Sequence, residues 1–113
     1  MKSGKTPAWQ KIKAAMESFG SDYVASYKEI MNYCNEHYGE VKDSTFRTYI
    51  ISCTVNHDTR VHYSPNKKPR TELLDNDVLF QVKKGKVCLY DPEKHGDWHI
   101  KLGDDGKLHP VKS

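Results

Sequence analysis

No run of about 18 apolar residues occurs in this 113-residue chain, which argues against a membrane-spanning helix. Cysteine is scarce. Cys34, Cys53 and Cys88 make an odd count with no CxxC pair, and each sits within an apolar pattern. That usage excludes a disulfide framework and fits buried free thiols in a reducing cytosol. Cys34 with His37, three apart, and His95 with His99, four apart, have the spacing of metal ligands. A structural zinc site needs four ligands in two close pairs, so no metal is expected. The chain also lacks a phosphate-binding glycine loop, a nucleophile elbow and an HExxH sequence, and it has no repeat or low-complexity tract. Met1-Lys2-Ser3-Gly4-Lys5 leads into an amphipathic stretch rather than an unbroken apolar one, unlike a signal peptide. A cytoplasmic protein without enzymatic activity or cofactor is the expectation.

Positive charge is present, but it is unevenly placed. The net charge is only +3, with 36% hydrophobic and 29% charged residues, as suits one globular domain with a modest core. Residues 1–20 carry four lysines against Glu17, and residues 40–90 carry nine basic against six acidic residues. Within the latter, Arg60, Lys67, Lys68 and Arg70 face Asp58 alone between Asn56 and Arg70. Clustering of this kind creates the local potential that attracts phosphates.

The pattern of elements is clear over most of the chain. Thr6 as cap, Pro7 at the first helical position and Gly20 as terminator bracket a helix with Trp9, Ile12, Met16 and Phe19 on one stripe. Ser21 to Ala25 is long enough for a short strand. The capping box Ser26-Tyr27-Lys28-Glu29 opens a second helix, with Tyr27, Ile30, Met31, Cys34 and Tyr38 on its apolar face and Gly39 at its end. Asp43 is placed to cap a third helix running to about Val55, with Phe46, Tyr49, Ile50 and Cys53 buried. Residues 56–76 read as a long polar connection broken by Pro65 and Pro69, with Arg60–Tyr63 as a possible strand and Thr71–Leu74 as a helical turn. Val78–Val82 and Val87–Tyr90, joined by Lys83-Lys84-Gly85-Lys86, form a hairpin. Helix, strand, helix, helix, hairpin is the winged-helix order, so the expected class is α+β, mainly α. Residues 6–100 make the domain, and residues 101–113 make a loose polar tail or linker stub.

The third helix then becomes a candidate reader of double-stranded DNA. Such a helix needs an apolar back and hydrogen-bonding residues on its front and N-terminal end. Ser44, Arg47 and Thr48 supply the front, and Thr45 reaches the backbone. Lys42, the wing-tip lysines Lys83, Lys84 and Lys86, and Arg60, Lys67, Lys68 and Arg70 of the connection are candidate phosphate contacts. Each feature taken alone also fits a solvated surface. A magnesium nuclease would place an acid and lysine side by side on a core strand. Asp22 with Glu40-Val41-Lys42 has that spelling but falls in polar turns. Trp98 could stack on an exposed base but suits a core better. The competing class is a winged-helix protein-interaction module, favoured by an apolar Ile51 beside Thr48 on the reading face.

Trp9 to Phe19, the helix from Ser26 to Tyr38, Ser44-Thr45-Phe46-Arg47, Asp77-Val78-Leu79-Phe80 and Gly85-Lys86-Val87-Cys88-Leu89-Tyr90-Asp91-Pro92 resemble small winged-helix domains associated with bacterial restriction-modification and other DNA-targeting enzymes. The resemblance spans residues 8–100 loosely and rests on structural motifs. It implies a DNA-targeting module, in some cases sensitive to base modification, that works beside a separate nuclease or methyltransferase domain or subunit.

Overall fold

The computed structural model describes residues 6–39, 42–63 and 66–112. Lys2, Lys5, Glu40, Val41 and Pro65 lie outside the described residues. Helix α1 spans Ala8–Phe19, one residue later than its punctuation suggested. Pro7 takes the N-cap position, and Thr6 does not cap. Ile12, Ala15 and Met16 are buried, and Gly20 ends the helix at φ 121°, its N–H donating to the Met16 carbonyl. Strand β1, Ala25–Ser26, leads directly into α2, Tyr27–Tyr38. Ser26 and Glu29 form the full capping box there: the Glu29 N–H donates to Ser26 Oγ at 3.2 Å and the Ser26 N–H to Glu29 Oε1 at 2.8 Å.

Helix α3 spans Asp43–Cys53, with Lys42 rather than Asp43 at the N-cap position. It stops two residues short of Val55 because Thr54 and Val55 turn to the sheet. Thr54 bridges Leu79, and the Val55 N–H donates to the Leu79 carbonyl at 2.8 Å. Thr54 thus leaves the helix for extended backbone at φ -93° and ψ 109°, which suits a β-branched residue better. Strands β2, Leu79–Lys83, and β3, Lys86–Leu89, pair antiparallel through Leu79–Leu89, Phe80–Cys88 and Gln81–Val87. Strand β1 joins the other edge of β3, giving the order β1-β3-β2.

Ile12, Met16, Ile30, Ile50, Leu79 and Val87 are fully buried where the three helices meet this sheet. Each side chain of this size contributes roughly 1.5–3 kcal/mol on burial. Tyr49 is not part of this core: it is 45% exposed, because its position on α3 lies at the edge of the buried stripe. Ile51, by contrast, is half-buried and packs against the core.

The segment after α3 and the C-terminal residues are more ordered than their composition suggested. Asp58–His62 is a 3-10 helix rather than a strand, and Thr71–Leu74 forms no helical turn. A one-turn helix α4, Pro92–His95, is followed by β4, Trp98–Leu102, and β5, Leu108–Lys112. These two strands form a second antiparallel sheet, in register from Trp98–Lys112 to Leu102–Leu108. Residues expected as a loose tail therefore supply a strand. The class is α+β with antiparallel sheets.

Candidate nucleic-acid interface

Lys42, Ser44, Thr45 and Arg47 are exposed on the first turns of α3, and Thr48 is half-buried. The Thr48 hydroxyl is turned back onto the helix, donating to the Ser44 carbonyl at 3.1 Å. The Arg47 guanidinium lies 5.1 Å from the ring centroid of Tyr27, which steadies its stem while leaving the residue exposed. One turn later the helix is covered: Ser52 and Cys53 are buried. Beyond Thr48, Tyr49 is the residue of α3 that stays exposed.

The cover over the C-terminal half is a buried polar network. Arg60, 1% exposed, donates to Asp77 Oδ1 at 2.5 Å, to the Ser52 carbonyl at 2.9 Å and to the Val55 carbonyl at 3.4 Å. Arg70 donates to both Asp77 oxygens at 2.8 and 2.9 Å and to Asn66 Oδ1 at 2.6 Å. Asn66, itself fully buried, donates to the Ser52 carbonyl and hydroxyl at 3.0 and 3.2 Å. The Leu74 N–H adds a fourth donor to Asp77 at 3.0 Å. Burial would raise the Asp77 carboxyl, but Arg70, Arg60 and the Leu74 N–H outweigh it and hold it below its ordinary value. Burial draws the Arg60 guanidinium down from its ordinary value, yet it stays charged at neutral pH.

This arrangement corrects the assignment of Arg60 and Arg70 to phosphate contact. Both charges are committed to Asp77, with the Arg60 side chain 1% and the Arg70 side chain 11% exposed, so neither is free for a phosphate in this arrangement. Lys67 and Lys68 stay exposed on the same connection. Its far end is held by the backbone of Arg70, which pairs both ways with Ile100 of β4 at 2.9 Å.

Lys83 and Lys84 are exposed at the β2–β3 turn, where Gly85 adopts φ 78°, and Lys86 is half-buried. The hairpin is tied to the end of α3 by Asn56, whose amide accepts from the Gln81 N–H at 2.7 Å and donates to the Gln81 carbonyl at 2.9 Å. Asn66 stood out nowhere in the sequence, and Asn56 and Asp77 stood out only as part of the polar connection and of a family-like motif, with no structural role assigned. Nothing in a polar connection distinguishes an amide that replaces a missing strand partner from one facing water.

The remaining candidates have structural partners. His37 stacks on Tyr33, its Nδ1 at 2.9 Å from the Tyr33 carbonyl, while Cys34 is buried in the core. Among the described residues no group of three or more His, Cys, Asp or Glu is arranged to hold a metal ion. Asp22 pairs with Lys94 at 2.8 Å. Trp98 donates from Nε1 to the His95 carbonyl at 2.9 Å and tilts against Phe80, so its ring is held within the structure. His95 stacks on Phe80, centroids 4.1 Å apart, with Nδ1 accepting from the Asp91 N–H at 3.0 Å. No helix among the described residues is long and apolar enough to cross a membrane.

A family model described as a domain of unknown function, DUF7669, matches residues 7–89. That span runs from the start of α1 to the end of β3 and stops before the second sheet. No curated protein and no solved structure matches the chain.

Proposed function

The chain belongs to the DUF7669 domain family, and we propose that it is a winged-helix module that binds double-stranded DNA through the N-terminal half of α3 and the β2–β3 turn. The order α1-β1-α2-α3-β2-β3, with β1 completing a three-stranded antiparallel sheet, supports the winged-helix reading. The observation that carries the DNA reading is the contrast along α3. Its N-terminal turns present Lys42, Ser44, Thr45 and Arg47 to the outside, while farther along the helix Arg60 and Asn66 cover one side by bonding Ser52. A helix entering the major groove contacts base edges with its N-terminal residues. Arg47 is the residue suited to a guanine edge, and Ser44 and Thr45 to bases or phosphates. Lys42, Lys67, Lys68, Lys83 and Lys84 are exposed and supply charge for sequence-independent phosphate contacts. Any chemistry on the DNA would fall to a partner domain or subunit.

The test is a salt titration of binding to a random-sequence duplex, comparing wild type with Arg47→Ala. The expected result is affinity that falls steeply with salt and is weaker in the variant at every concentration. Absence of duplex binding at low salt would overturn the reading and leave a protein partner as the better class.

A further inference from the structure

Two adjoining cavities open between α1 and the side of α3 that carries Tyr49. One, of about 340 Å³, is lined by Trp9, Tyr49, Asp75 and Asn76, with Ser52 and Cys53 at its α3 wall, and the other, of about 430 Å³, by Lys11, Lys42 and Thr45 among others; Ala8 and Tyr49 line both. Tyr49 is 45% exposed, an aromatic ring left at the junction rather than folded into the core. The chemistry of the two cavities differs. The first combines two aromatic rings with an amide, which both donates and accepts, and a carboxylate, which accepts. The second carries two cations and no acid.

We propose that these cavities together take one unpaired nucleotide, its base in the Trp9–Tyr49 cavity and its phosphate toward Lys42 and Lys11. A base offers a π-face for stacking and an edge of donors and acceptors for Asn76 and Asp75. The Asp75 carboxylate repels a phosphate from the aromatic cavity, and the lysines attract it to the adjoining one, which orients the ligand. A fully paired base, stacked on both faces within a duplex, has no access to the cavity. The nucleotide is therefore either part of a single strand or displaced from a duplex. Tyr49 lies one helical turn beyond Thr45, so a base leaving a duplex held on the first turns of α3 has only a short way to travel. In that second form the inference rests on the DNA-binding reading, whereas the single-strand form does not.

The experiment uses the full chain with Trp98→Phe, which leaves Trp9 as its sole tryptophan. It is titrated with a single-stranded oligonucleotide, a duplex carrying a one-base bulge and the matched duplex, reading both tryptophan emission and affinity. The single strand and the bulged duplex are expected to quench Trp9, and the matched duplex to leave it unchanged. Adding Tyr49→Ala is expected to weaken the single strand and the bulged duplex about tenfold, the scale of one base–aromatic stack, and the matched duplex less than twofold. Tyr49→Phe, which keeps the ring, is expected to bind like its parent. Trp9 emission unchanged at saturating single strand and bulge, or equal effects of Tyr49→Ala on all three ligands, overturns the proposal. Matched-duplex binding without Trp9 quenching by any ligand sinks the cavity alone. Quenching by the single strand with no duplex binding sinks the duplex reading and leaves the cavity standing.

Discussion

Replacing Asp77 with alanine should be among the most damaging single changes in the molecule. The Asp77 side chain is 1% exposed and accepts from Arg60, twice from Arg70, and from the Leu74 N–H. Without it the Arg60 guanidinium, also 1% exposed, keeps only the Ser52 and Val55 carbonyls. Breaking a buried ion pair by deleting one partner costs about 3–5 kcal/mol, because the other charge stays out of water uncompensated. Small domains are stable by only about 5–15 kcal/mol. At about 4 °C or more per kcal/mol, the melting temperature should fall by at least about 12 °C. Arg70→Ala should be milder, about 1–3 kcal/mol, since Asp77 keeps Arg60 and the Leu74 N–H and the Arg70 side chain is already 11% exposed. Urea unfolding followed by far-ultraviolet circular dichroism measures both. A loss below about 1 kcal/mol for Asp77→Ala, or a larger loss for Arg70→Ala, refutes the assignment of this network as the anchor of the connection.

Other outcomes follow from the same structure. Lys83→Ala with Lys84→Ala should lower the slope of log affinity against log salt by up to about 2 without changing the melting temperature; an unchanged slope removes the turn from the interface. Burial lowers His95 and His57 below the ordinary 6.5, against the opposing pull of Asp91 and Asp58 respectively. Phe80, Tyr90, Cys88, Asp91 and Lys94 surround His95. Both histidines bind protons less readily folded than unfolded. Their contribution to stability is therefore complete above about pH 6.5 and declines as pH falls through the folded values, and His95→Gln should flatten that part of a stability–pH curve. Burial pushes the Cys34 thiol up to about 11 and the Cys53 thiol up to about 12. Cys34, fully buried, should not react with a maleimide at pH 7 except at the rate of unfolding, and its rapid labelling in the native protein would contradict that burial.

What was legible in the sequence was local. Ser26 with Glu29, and Gly20 and Gly39 behind their helices, announce α1 and α2 through hydrogen bonds closed within a few residues. Gly85 between two β-rich runs does the same for the hairpin. The exposed residues of the α3 front follow from its 3.6-residue period, which also misplaced Tyr49, since a residue at the margin of a stripe is buried or exposed according to its neighbours. Arg60 and Arg70 were misjudged for a different reason. Their pairing with Asp77 spans 17 and 7 residues, and in one dimension a charge awaiting a distant partner looks like a charge facing water. The second sheet did leave a trace: Asp105-Gly106 between Trp98, Ile100, Leu102 and Leu108 is a hairpin pattern. Asp104, Lys107 and Pro110 hid it, although a two-stranded edge tolerates proline.

Arg70 belongs to two places at once. Its backbone is the strand partner of Ile100, and its side chain holds Asp77 and Asn66, which in turn reach Arg60 and Ser52 on α3. The amides of Arg70 and Ile100 are therefore released by the same opening event, and hydrogen exchange should record one protection factor for both. A ligand that stiffens α3 should raise that shared value from across the molecule, making these two amides a remote gauge of occupancy at the helix.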